Sequence, residues 1–144
     1  VQLNQATDYA FRVVQHLAGL PDGSVVSGQV IAEQQKITPQ FLQKIMRSLT
    51  QAGLVRSHRG TDGGFELARP AQDITLLHVI EAMQGPISLN RCLAEQNACS
   101  KHCAHICPVH AALGRIQNQL VESLGSVDFA SLARKNGGKV EECS

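Results

Sequence analysis

Thr38-Pro-Gln-Phe-Leu-Gln-Lys-Ile-Met-Arg-Ser-Leu-Thr-Gln-Ala-Gly53, running directly into Leu54-Val-Arg-Ser-His-Arg-Gly-Thr-Asp-Gly-Gly-Phe-Glu-Leu-Ala68, is the stretch that decides the fold. A hydroxyl residue followed by proline is a strong helix start: Thr38 can cap the first free N–H groups, and Pro39 has no N–H to lose at the first helical position. Gly53 supplies the stop. At 100° per residue Phe41, Leu42, Ile45, Met46 and Leu49 share one side of this helix, while Gln40, Gln43, Lys44, Arg47 and Gln51 gather on the other. Two short strands then follow, Leu54 to His58 and Gly64 to Ala68, around a tip rich in glycine. That pattern reads as a β-hairpin with Arg59 at its turn.

Upstream, Ser27 can cap a short helix reaching Gln35, with Val30, Ile31 and Ala32 facing inward. Only Lys36-Ile37 separates it from the Thr38 start, so two helices meet at a tight turn and the second carries a Gln/Lys/Arg face. This is a helix-turn-helix pattern, and a hairpin placed directly after it is a wing. Before it, Ala6, Ala10, Val13, Val14, Leu17 and Ala18 recur at helical spacing up to the turn residues Gly19-Leu-Pro-Asp-Gly23; after it, Thr75 opens a helix with Leu76, Leu77, Ile80 and Met83 inward, ending at Gly85-Pro86. The expected fold class is mainly α with a small β-hairpin: a winged helix-turn-helix domain followed by a long helix.

The 144 residues carry a formal net charge of +1, which alone says nothing about partners. Its distribution says more. Residues 36–69 hold six basic residues, Lys36, Lys44, Arg47, Arg56, Arg59 and Arg69, against Asp62 and Glu66, while the rest of the chain is net acidic. A basic segment on a winged helix-turn-helix is the footprint expected of a DNA-facing surface. Gln40 and Gln43, near the helix start, have the chemistry to read adenine edges in the major groove; Lys44 and Arg47 suit guanine or phosphate, and Arg59 suits a narrow minor groove.

Four cysteines stand within sixteen residues, Cys92, Cys99, Cys103 and Cys107, spaced C-x6-C-x3-C-x3-C, and the only other cysteine is Cys143. Packing would scatter cysteines through the core, whereas thiolates gathered in one segment are preferred ligands for iron-sulfur clusters and structural zinc. Zinc sites usually combine shorter ligand pairs, so the x6 and x3 gaps favour a cluster, and a disulfide pair is the minor alternative. Cys103 lies four residues from both Cys99 and Cys107, so a partly helical loop would bring three thiols together.

Pro108 opens the longest apolar stripe, Val109, Leu113, Ile116, Leu120 and Leu124, a narrow seam suited to a partner helix. No run approaches the ~18 apolar residues of a membrane span, no secretory signal is visible, and a cytoplasmic location is expected. No nucleophile elbow, phosphate loop or HExxH motif is present, so no enzyme is expected.

Together these residues resemble the IscR/NsrR type of bacterial winged-helix iron-sulfur transcription regulator. The likeness spans about residues 2 to 135 and rests on Gln2-Leu-Asn-Gln-Ala-Thr-Asp-Tyr-Ala10, on Ile37 to Gly53, on Arg59-Gly-Thr-Asp-Gly-Gly-Phe-Glu-Leu-Ala68, and on Cys92 to His110. It implies a homodimer whose long helices cross, bound to an imperfect palindrome in double-stranded DNA. It also implies a cluster held by three cysteines, matched here by Cys92, Cys99 and Cys107. His110 falls where some relatives place a histidine ligand, and Asp8 where others are thought to supply an acidic one from the partner. Cys103 departs from the three-cysteine pattern, which makes the fourth ligand the open point.

The expected organisation is a DNA-binding domain over 1–84, a cluster-binding loop over 85–107, a dimerisation helix with a short terminal helix over 108–135, and a disordered tail over 136–144. The expected function is a repressor that senses redox state, iron or a reactive gas through an iron-sulfur cluster, with 4Fe-4S favoured and 2Fe-2S the alternative. Its rivals are a zinc-stabilised or metal-free regulator controlled by a partner protein, and an electron carrier.

Overall fold

A computed structural model describes residues 2–95, 100–103 and 105–135. Helix α1 (Gln5–Ala18) starts at Asn4, whose side chain accepts from the Thr7 backbone N–H. Helix α2 (Gly28–Gln35) is capped by Ser27, and α3 (Pro39–Gln51) by Thr38 with proline in the first turn, as the sequence suggests. Between them Lys36 takes the left-handed conformation at φ 56° and turns the chain, while Ile37 is buried. Strands β1 (Val55–His58) and β2 (Gly64–Leu67) pair antiparallel, with Val55 opposite Leu67 and Arg56 opposite Glu66.

Val26 adds a bridge to the wing: it exchanges both backbone hydrogen bonds with Phe65, at 2.9 and 2.8 Å. A Cβ on Gly64 would collide with the Val26 carbonyl, so this close approach requires glycine. The chain continues through a 3-10 turn (Ala71–Asp73), α4 (Leu76–Gln84), α5 (Arg91–Ala94), α6 (Pro108–Gly125) and α7 (Phe129–Lys135). The 3-10 turn and α5 were not anticipated from sequence. Thr75 and His78 form a capping box at the start of α4, giving His78 a definite structural task.

The core gathers Ala10, Val13 and Val14 of α1, Ile31 of α2, Leu42, Ile45, Met46 and Leu49 of α3, and Val79 of α4. Val30, expected to face inward, is 39% exposed. In an eight-residue helix Ile31 and Ala32 already fill the narrow inner face, and Val30 falls a residue to the side of it. The chain also returns to this core after α6: the Phe129 N–H donates to the Ile74 carbonyl, the Leu76 N–H to that of Val127, and the Phe129 ring is buried 6.4 Å from that of Phe11. A polar clasp closes the far side, where Gln84 at the end of α4 accepts from Asn4 N and Thr7 Oγ1 and donates to the Gln2 carbonyl.

Candidate nucleic-acid interface and cysteine loop

The outer face of α3 is built by exclusion. Its apolar stripe is fixed in the core, which leaves Gln40, Gln43, Lys44 and Arg47 exposed together. Gln40 and Gln43 lie in the first half of the helix, the end that a recognition helix turns toward base edges. At the hairpin, Gly60 (φ 107°) and the Gly63 N–H to Gly60 carbonyl bond (3.0 Å) close a tight turn with Arg59 exposed beside it. Among the described residues Arg59 makes no ion pair, with Asp62 or any other carboxylate.

Not every cation of the basic segment is equally available. Arg69 donates to the Gly53 carbonyl at 3.4 Å, tying the turn after α3 to the segment that follows β2. Arg56 Nη1 donates to Glu66 Oε1 at 3.2 Å, and His58 Nε2 meets the same oxygen at 2.6 Å. The hydrogen bond and electrostatic pull of His58 first, and the hydrogen bond and charge of Arg56 after them, hold the Glu66 carboxyl below its usual range despite some opposing desolvation. Lys44, Arg47 and Arg59 carry no such partner among the described residues.

The second site lies between α5 and α6. Cys92 sits in α5, Cys103 in the loop, and Cys107 occupies the N-cap position of α6 ahead of Pro108, where its sulfur makes no capping bond. His110, in the first turn of α6, has Nδ1 3.2 Å from Cys92 Sγ. With its proton on Nδ1 the imidazole donates to the sulfur; with its proton on Nε2 it accepts from the thiol. Leu93 packs against the open face of Gly114, so α5 is docked on α6 just behind this pair. Cys99 lies outside the described residues, as does Cys143. Among the described residues no three His, Cys, Asp or Glu side chains converge to hold a metal ion. Asp8 stands apart on α1, exposed and paired with Arg12 at 3.2 Å.

Helix α6 has no fully buried residue. Val109 is 61% and Ile116 52% exposed, Leu113, Leu120 and Leu124 are half-buried, and Ile106 just before the helix is 73% exposed. Beside this stripe, α6 rests on the domain through Gly125 against Leu77 and through Gln117, which accepts from the Leu89 N–H at 3.0 Å. Sequence reasoning did not foresee the His58–Glu66–Arg56 cluster or the Gln84 clasp. A cross-strand offset of acidic and basic residues could have suggested the former, but nothing local signals the latter. No described helix is long and apolar enough to cross a membrane.

Known proteins share this architecture. A Mycobacterium tuberculosis protein named as an HTH-type transcriptional regulator is 40% identical over 88 residues, 61% of this chain and 55% of its own length. The chain thus spans about half the length of that relative. The regulator YffB of Lactococcus lactis is 31% identical over 140 residues, covering 92% of this chain and 87% of its own. These relatives are named for transcription control, a non-enzymatic role. Among solved structures, CymR, the global cysteine regulator of B. subtilis, superposes with a TM-score of 0.73 at 24% identity, covering 94% of this chain and 98% of that one. IscR of T. potens does so with a TM-score of 0.72 at 22% identity, covering 99% and 93%. At those identities the likeness is one of winged-helix fold. The profile of the Rrf2 family, described as an iron-dependent transcriptional regulator, matches residues 3–135, and the chain belongs to that family of transcriptional regulators.

Proposed function

We propose that this protein is a homodimeric, cytoplasmic repressor that binds an imperfect palindrome in double-stranded DNA and whose affinity is set by an iron-sulfur cluster on the cysteine loop. The observation that carries the reading is the 3.2 Å approach of His110 to Cys92, which draws the start of the loop onto the first turn of α6. The donor set suits the group: Cys92 and Cys107 are free and half-exposed, and the Cys107 sulfur is not spent on capping. Cys92, Cys99 and Cys107 would hold the cluster with Cys103 as fourth thiolate, and His110 or the partner's Asp8 is the alternative fourth ligand. Bound there, a 4Fe-4S or 2Fe-2S cluster supplies a centre that gains or loses an electron or reacts with small molecules.

The chain's own residues would do the rest. Gln40, Gln43, Lys44 and Arg47 contact the major groove, and Arg59 the minor groove. The exposed stripe from Val109 through Leu113, Ile116 and Leu120 to Leu124 meets its twin. Because α5 docks on α6, α6 on α4 and α4 on α3, a shift at Cys92 or Cys107 is passed through packed helices to the recognition face. Two half-sites must lie about one helical turn apart, roughly 34 Å, so a small tilt of α6 alters docking.

The test is an anaerobic preparation examined by visible absorbance and by iron and sulfide content, with Ser variants of each cysteine. Cys92→Ser, Cys99→Ser and Cys107→Ser should each lose the visible absorbance, and Cys143→Ser should match the parent. Zinc in place of iron and sulfide, or no metal at all, would make this a zinc-stabilised or partner-controlled regulator. A protein that holds a cluster but ignores DNA would be an electron carrier.

A further inference from the structure

We propose that Glu66 tunes the sequence selectivity of the wing by cancelling the charge of Arg56 and sharing its carboxylate with His58, leaving Arg59 as the hairpin cation that engages DNA. The inference rests on the DNA-binding reading above and goes beyond it by naming a residue that restrains binding.

The register explains the cluster. Arg56 lies directly across from Glu66 and His58 lies two residues further along β1, so all three side chains project from one face of the hairpin. Val55, Leu67 and Phe65 take the other face and join or pack on the core. One oxygen of Glu66 receives both Arg56 and His58, and the carboxylate side chain is only 14% exposed, against 58% for Arg56. The carboxyl stays ionised well into acid, because its two donors hold its pKa down. On this face the Glu66 carboxylate therefore offsets the charge of Arg56. At the tip Asp62 is exposed and makes no ion pair among the described residues.

Backbone contacts give affinity without sequence information, since each phosphate neutralised releases counterions whatever the bases are. A wing with a second uncompensated cation would grip any duplex more strongly. Base readout by α3 would be unchanged, so the ratio of specific to non-specific affinity would fall. Glu66 keeps that ratio high.

Glu66→Gln preserves shape and one acceptor oxygen, the number that Arg56 and His58 share, while removing the charge. Binding to a short duplex of arbitrary sequence should tighten roughly fivefold to tenfold at 0.1 M salt, with a plot of log K against log salt steeper by about one unit. The double variant Arg56→Gln with Glu66→Gln restores neutrality and should return both values to the parent's. An unchanged slope in the single variant, with circular dichroism showing a folded protein, would overturn the proposal. So would a double variant whose slope falls below the parent's, because Arg56 would then already contact phosphate. Failure of the parent to bind any duplex would instead sink the DNA-binding reading itself.

Discussion

Gly64→Ala is a one-carbon change that should move the whole wing. The added Cβ would overlap the Val26 carbonyl and crowd the Ser27 nitrogen, and both are backbone atoms with no rotamer to escape into. Either the hairpin swings outward or Val26 does, and in both cases the two hydrogen bonds between Val26 and Phe65, at 2.8 and 2.9 Å, are broken or stretched. Two such bonds are worth about 1 kcal/mol each in net terms. Partial undocking of the Phe65 ring from Gly28 and the core adds about 1–2 kcal/mol. The total of about 3–4 kcal/mol corresponds to a fall in Tm of roughly 6–16 °C for a domain of this size. Because the wing carries Arg59, DNA affinity should drop at temperatures where the variant is still folded. Thermal unfolding by circular dichroism and a fluorescence-anisotropy titration with duplex DNA check both halves. Gly19→Ala is the control: its Cβ would meet only ordinary contacts at 3.6 Å and its φ is −79°, so stability should hold or rise slightly. An alanine at 64 that leaves Tm and affinity at parental values would refute the claim that Val26 positions the wing.

Other consequences concern the long helix, the return of the chain and the recognition face. Glu at both Ile116 and Leu120 should yield monomers or insoluble protein, since a carboxylate in an apolar seam is costly; a parent that sediments as a monomer at micromolar concentration would contradict the seam. Asp128 accepts from Ser131 N and Oγ, at 2.6 and 2.9 Å, and these bonds depress its carboxyl pKa, as the bond from His58 does for Glu66. A depressed folded pKa gives stability that is complete above the ordinary carboxylate value near 4 and is lost as pH falls below it. Asp128→Ala should therefore lower Tm at neutral pH and flatten its decline in acid, and equal Tm for parent and variant at pH 7 would show that these bonds do not stabilise the fold. Gln43→Ala should relax preference at particular base pairs by about 1–3 kcal/mol with little change in salt slope, read from binding to single-substitution duplexes.

What could be read in the sequence was what local chemistry dictates. Ser27, Thr38-Pro39 and Thr75 start helices because their hydroxyls satisfy nearby N–H groups, and the structure has helices starting where those residues stand. Likewise the Gly-rich hairpin follows from its turn residues. What escaped depends on contacts distant in sequence. Phe129 is a lone aromatic in a seven-residue helix, too short for a periodic signal, yet it is buried against Ile74 and Phe11. Thr7 and Gln84 meet across 77 residues, and no spacing rule links them. Val25-Val26 is too short a run to signal a strand, yet Val26 pairs with Phe65. At the cysteine loop the sequence supplied the donors, and the structure adds the proximity of His110 to Cys92, which spacing of eighteen residues could not give.

The central claim is that the cysteine loop controls the recognition helices, and the direct measurement is DNA affinity of one anaerobic preparation before and after its iron is removed with a chelator. Affinity for a duplex selected by the loaded protein should change about fivefold to 150-fold, the usual range of coupling between two sites, and Cys92→Ser should bind like the stripped protein. Equal affinity of the loaded and stripped protein, both dimeric and folded, would contradict the account.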